Sequence, residues 1–260
     1  MTVAPDTGPD PVGAALRLTV HLNALTWAPA HGTAAASLDV AARTVAGRDS
    51  THHVVDTDSL LGLSPWHAND LADALAAALP HEPEGWVLVL PRPGHLAGLR
   101  GPVATNTAAL DAGAAVLART AEVAWVPVVV GPTVQWMLHP ATPPLGLPDP
   151  TEAERSLTEA LLSATRALTD LDVSGGSRPD LVSPPRLPKP YDVRRQRALD
   201  RAWHLHQVVT VALDDDGGAL SSYETLQRRQ HLSGLLGPVH DVISATCSAP
   251  PRRSGATMGS

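Results

Sequence analysis

The sequence predicts an α/β fold: a small mixed sheet flanked by helices, with a helical C-terminal extension. Three observations carry this. Trp86–Leu90 (WVLVL) and Glu122–Val130 (EVAWVPVVV) are apolar runs of strand length, the pattern of strands covered on both faces. Stretches with apolar residues at helical spacing lie before, between and after them. Beyond a Ser-, Gly- and Pro-rich segment at 173–190 the pattern is helical only.

In chain order, Asp10-Pro11 is an N-cap followed by proline at the first helical position, and Leu18, Leu22 and Leu25 then share a face until Pro29. Leu16, Leu18, Val20 and Leu22 also alternate as a strand would; length and the cap favour the helix. Thr33–Ala46, ended by Gly47, predicts a second helix, Thr51–Asp56 a short strand, and Asn69–Leu79 an Ala/Leu helix stopped by Pro80. After the Trp86 strand come a loop over Pro91–Pro102 and a helix carrying Val103, Leu110, Ala114 and Leu117 at helical spacing, with Gly113 inside it. Strand, helix, strand predicts a right-handed βαβ crossover. Pro127 lacks an N–H, which places its part of the second strand at an edge or a bulge. Gly131-Pro132-Thr133 then turns Val134–His139 back antiparallel.

Asp149-Pro150 repeats the cap signal and opens a helix with Leu157, Leu161, Leu168 and Leu171 on one stripe and Glu152 and Glu154 near its positive end. Val193–Leu213 predicts a further helix, stopped by Asp214–Gly218. Ser221 and Glu224 form a capping-box pattern for the next, which Gly237-Pro238 breaks before a short last helix to Cys247. The domain reading is a disordered tail at 1–10, an α/β domain at 11–172, a linker at 173–190, a helical segment at 191–247 and a second disordered tail at 248–260.

Composition works mainly by exclusion. The 260 residues include no Phe, one Ile (Ile243), one Lys (Lys189) and one Cys (Cys247). A core is still available, since 43% of residues are hydrophobic. It must be built of Leu, Val, Ala and Trp. The formal charge of -7 argues against a general nucleic-acid or anionic-membrane binder. Neither a secretion signal nor a long apolar span is read, and an unpaired Cys247 fits a reducing cytoplasm. Lys189 lies in the linker, which removes P-loop and Schiff-base lysine chemistry. Cys247 sits beside the tail, and no G-x-S-x-G or H-E-x-x-H occurs. No catalytic residue, metal ligand or cofactor is assigned.

Two clusters remain. The loop Pro91–Pro102 leaves a buried strand and enters a helix N-terminus with Arg92, His95 and Arg100, a setting that suits a small phosphate- or carboxylate-bearing ligand. It lacks the glycine spacing of a nucleotide loop. Arg194, Arg195, Arg197 and Arg201, with Arg186 and Lys189 before them, set against Asp192 and Asp200, and with Arg228 and Arg229 on the next helix, make a positive edge suited to docking a protein partner. The twelve histidines are scattered: His52 and His53 point to opposite faces of a strand, and His204 and His206 straddle a helix. Asp214–Asp216 with Gly217 and Gly218 fails the register of a calcium loop, so it is read as a helix stop.

The stretches GWVLVLPRPGHLAGLRGP, NTAALDAGAAVLA and DDDGGALSSYETL resemble an uncharacterised protein family of high-GC actinobacteria. The similarity spans most of 50–247, and the resemblance implies no activity. Function is therefore expected to be that of a non-catalytic regulatory or protein-interaction protein in the cytoplasm, with an anionic-metabolite enzyme or binding domain as the alternative.

Overall fold

Asp10 does what its position requires: its carboxylate accepts the Val12 and Gly13 N–H groups, both at 3.0 Å, and Pro11 opens α1 (Pro11–Thr26). The computed structural model describes residues 8–28, 35–146, 149–171, 181–214 and 221–248, so the two predicted tails and part of the predicted linker lie largely outside the described residues. After α1 follow α2 (Ala35–Ala46), β1 (Thr51–Val55), β2 (Asn69–Asp70), α3 (Leu71–His81), β3 (Trp86–Val89), α4 (Val103–Ala112), β4 (Ala115–Ala118), β5 (Val123–Val130), β6 (Thr133–Pro140), α5 (Pro150–Asp170), α6 (Val193–Asp214) and α7 (Ser222–Ser248). The fold is α/β with a mixed sheet and C-terminal helices.

The chain forms two compact units. One comprises Met1–Leu147, Leu187–Asp192 and Cys247–Ser260, the other Pro148–Arg186 and Val193–Thr246. In the first, six strands are ordered β2-β1-β6-β5-β4-β3. Only β1 and β6 are parallel; the other neighbours are antiparallel.

The predicted βαβ crossover is overturned. Gly113 takes a left-handed conformation (φ 70°) and ends α4 instead of lying within it. Ala115–Ala118, assigned to that helix, becomes β4, antiparallel to both β3 and β5. A strand inserted here makes the connection from β3 an antiparallel return. Two prolines are also absorbed: Pro80 lies in the last turn of α3, and Pro238 lies inside an unbroken α7. Leu232, Leu235, Val239, Val242 and Ile243 are buried on either side of Pro238, and that packing offsets the lost helix hydrogen bond. Cys247 is therefore a buried residue of α7 rather than the edge of a tail. At Pro127 the edge reading holds locally, because β4 pairs with β5 no farther than Trp125.

Sheet register puts Trp86, Trp125, Trp136 and His52 on one face, with successive ring centroids at 6.2, 6.4 and 5.9 Å. The row ends in a polar chain. Trp136 Nε1–H donates to His52 Nδ1 (3.1 Å), so the His52 proton sits on Nε2 and is given to Asp49 (2.9 Å), which also accepts from Arg17 (2.8 Å). On the opposite face α4 covers Val87, Val89, Leu117, Ala124 and Val126.

The outer edge of β3 is closed by side chains. Asn23 Oδ1 accepts the Trp86 N–H (2.6 Å), Asn23 Nδ2 donates to Trp86 O (2.9 Å) and Cys247 O (3.0 Å), and Ser248 Oγ accepts the Leu88 N–H (2.9 Å). Gly85 makes the approach possible: a Cβ there would stand 2.8 Å from Asn23 Oδ1. The Trp86 N–H and C=O and the Leu88 N–H, which could template another chain, are thus occupied.

Burial lowers the pKa of three histidines in this unit. For His21 desolvation, helped by Arg17, takes it to about 4; for His52 and His139 desolvation outweighs the pull of Asp49 and Asp58. The unfolded chain therefore takes up protons first as pH falls. The contribution of these three histidines is complete above about pH 6.5 and is lost as pH falls, for His21 toward about pH 4, with His21 alone amounting to on the order of 2–3 kcal/mol. Thermal melts at pH 7.5, 6 and 4.5 should show this loss, shallower in His21→Gln; a melting temperature flat over that range would contradict it.

In the second unit, Ala164, Val209, Leu232 and Leu235 form a core between α5, α6 and α7. The caps read from sequence close it: Asp149 accepts from Thr151 and Glu152, and Ser221 and Glu224 exchange hydrogen bonds at 3.1 and 3.2 Å.

Candidate functional site

The arginines of α6 are placed by helical geometry. Arg194, Arg197 and Arg201 stand at i, i+3 and i+7, one stripe of the helix, whereas Arg195 lies about 100° round and is half-buried. That stripe lines a shallow open cleft with Val193, Ala198 and Glu154 of α5. Three of the four predicted docking residues come together there; Arg195 does not.

Among the described residues that line the cleft, Glu154 is the one carboxylate, and it meets two of the three guanidiniums. Glu154 Oε2 lies 3.3 Å from Arg201 and Glu154 Oε1 3.9 Å from Arg194. Both arginine side chains are well exposed, at 56% and 70%, so these are weak surface pairs. Arg197, between them along the helix, has no hydrogen bond or ion pair among the described residues. Asp200 is turned to a different task, accepting from Gln196 at 2.8 Å. Of the other basic residues, Arg228 is buried and donates to Ala212 O at the end of α6 (2.6 Å), so it adds nothing to an exposed positive edge.

The loop between β3 and α4 is differently built. Arg92 and His95 exchange both backbone hydrogen bonds across a tight turn (3.0 and 2.8 Å), and the Arg92 guanidinium reaches His95 Nδ1 at 3.5 Å. The same Nδ1 accepts the Ala97 N–H, while Arg100 donates to Pro143 O at 3.1 Å. Each of the three side chains is thus engaged by its own loop or by the segment after β6. Arg92, His95 and Arg100 do not converge on the described cleft.

Two features escaped the sequence reading. Glu154 was legible only as a residue near a helix N-terminus, and nothing local announces that it meets α6. Trp66 is 91% exposed on a braced loop: Asp56 accepts the Leu60, Leu61 and Leu63 N–H groups, and Asn69 bonds Ser64, His67 and Val54. Its signal was a lone Trp beside Pro65 in a polar stretch. Among the histidines, His52 is buried and His53 exposed on opposite faces of β1, as alternation requires. His206 and His240 approach to 3.3 Å. No three His, Cys, Asp or Glu side chains gather to hold a metal among the described residues, and none of the described helices is long and apolar enough to cross a membrane.

Two family models cover the chain. Residues 23–154 match the Rv1486c-like protein, N-terminal domain, and residues 151–241 the Rv1486c-like protein, C-terminal domain. Their boundary falls at the start of α5, where the helical unit begins. No curated protein and no solved structure matches the chain. With both domains present in order, the chain belongs to the Rv1486c-like family.

Proposed function

We propose that this protein is a non-catalytic, cytoplasmic interaction protein whose helical unit docks an acidic segment of a protein partner on Arg194, Arg197 and Arg201. The observation that supports the reading is the imbalance in the cleft: among the described residues, three arginines on one stripe of α6 face a single carboxylate. Arginine forks suit carboxylates, and arginine is a residue type favoured at interface hot spots. A chain of formal charge -7 keeps such a cleft as a local positive feature on a negative molecule, which steers acidic segments to this place and repels them elsewhere.

The full chain should bind a fluorescein-labelled Glu-rich peptide in fluorescence anisotropy, more tightly at 50 mM than at 300 mM salt. Arg197→Gln combined with Arg201→Gln should weaken binding on the order of 10-fold or more. Arg166→Gln, an exposed arginine on α5 outside the cleft, should leave it unchanged. Equal losses from the cleft and control substitutions would show generic charge attraction and defeat the reading.

A further inference from the structure

We infer that the group the cleft accepts is a phosphorylated side chain of the protein partner, which displaces Glu154 from Arg194 and Arg201. This rests on the docking reading above and names the chemistry of what docks.

Among the lining residues three guanidiniums face one carboxylate, an excess of two positive charges. Glu154 spends its two oxygens on the outer pair, one toward Arg194 and one toward Arg201, and gives none to Arg197 between them. The three arginines therefore share an acceptor with too few oxygens. A single incoming carboxylate meets only part of this excess. In the place of Glu154 it exchanges like for like, and beside Arg197 it meets Glu154 as a neighbour of the same sign. A phosphomonoester differs in kind, since near neutral pH it carries about -1.5 to -2 and three strong acceptor oxygens. In the place of Glu154 it brings up to twice the negative charge against the three guanidiniums and offers an oxygen to each in turn.

Glu154 is easily moved aside. It is held by exposed arginines, with contacts at 3.3 and 3.9 Å and no other hydrogen bond from its side chain among the described residues. It acts as a resident competitor that keeps the stripe ordered and partly neutral until a stronger anion arrives. The same count disfavours nucleic acid. A phosphodiester bears one charge per phosphate, no better than a carboxylate, and a long polyanion also meets the overall negative charge of the chain.

Three fluorescein-labelled peptides test this on the full chain. They share one Glu-rich sequence and differ at a central serine that is unmodified, phosphorylated or replaced by aspartate. The phosphopeptide should bind on the order of 10-fold more tightly than the aspartate peptide. Glu154→Gln should tighten the phosphopeptide by about 5-fold at low salt, as removal of a competing charge requires. Equal affinity for the phosphorylated and aspartate peptides overturns the inference while acidic docking stands. Weaker phosphopeptide binding by Glu154→Gln also overturns it, because Glu154 would then be positioning the arginines and not competing for them. Failure of all three peptides to bind either protein removes the docking reading itself. Tighter binding of a labelled oligothymidylate, or full displacement of the phosphopeptide by micromolar inorganic phosphate, would assign the cleft to a different anion and overturn the partner.

Discussion

Asn23→Ala is expected to destabilise the α/β unit by about 3–4 kcal/mol, although it removes only a small polar side chain. Asn23 is fully buried, and its carboxamide takes both outward-pointing groups of Trp86 as a neighbouring strand would. Cys247 O keeps a second donor, the Tyr191 hydroxyl at 2.5 Å. Trp86 N–H and C=O have no such substitute once Asn23 is gone, and each buried orphan costs about 1–3 kcal/mol. Asn23→Asp should be no better: it keeps an acceptor for the Trp86 N–H but turns a carboxylate oxygen toward two carbonyls. Urea unfolding followed by tryptophan fluorescence reports on this unit, which contains five of the six tryptophans. A lower midpoint with unchanged slope is the expected result. A loss below about 1 kcal/mol would mean that water replaces the carboxamide. Because the substitution also uncovers the β3 edge, it should raise the tendency to aggregate.

The chain holds three asparagines, at 23, 69 and 106, and each braces backbone: Asn69 ties its own loop and Asn106 accepts the Gly101 N–H. Why the sequence revealed little of this is a matter of range. Asp10-Pro11, Asp149-Pro150 and Ser221 with Glu224 were legible because a cap is made within three or four residues. The α6 stripe was legible because helical spacing fixes it within one element. Asn23 bonds residues 63 and 224 positions away, and Glu154 meets an arginine 47 positions on. No local pattern carries either. The failure at β4 has a different cause. Val103, Leu110, Ala114 and Leu117 do fit helical spacing, and a four-residue apolar run is compatible with helix or strand. Only the conformation of Gly113 decides between them, and a glycine looks the same on the page inside a helix as at its end.

Trp125→Ala is the second large expected loss, about 3–5 kcal/mol, and its origin is the reverse of the first. Trp125 is fully buried in the middle of the aromatic row, edge-on to Trp86 and Trp136. Its Nε1 has no hydrogen-bond partner among the described residues, so truncation strands no polar group and the cost is volume and contact alone. In a core without Phe that volume is hard to recover. Trp86 and Trp136 are fixed on either side of the gap in the same row, and strands on both sides hold the backbone of β5 in register. Trp125→Phe should therefore recover most of the loss, since it restores a ring without adding a polar atom. Trp136→Phe is the informative contrast: it preserves a ring of similar place but leaves His52 Nδ1 without the donor that fixes its tautomer. If packing dominates at Trp125 and hydrogen bonding at Trp136, the Phe variant at 125 melts close to the parent while the one at 136 melts well below it. Equal melting temperatures for the two would show that the chain from Trp136 to Arg17 contributes nothing beyond its bulk.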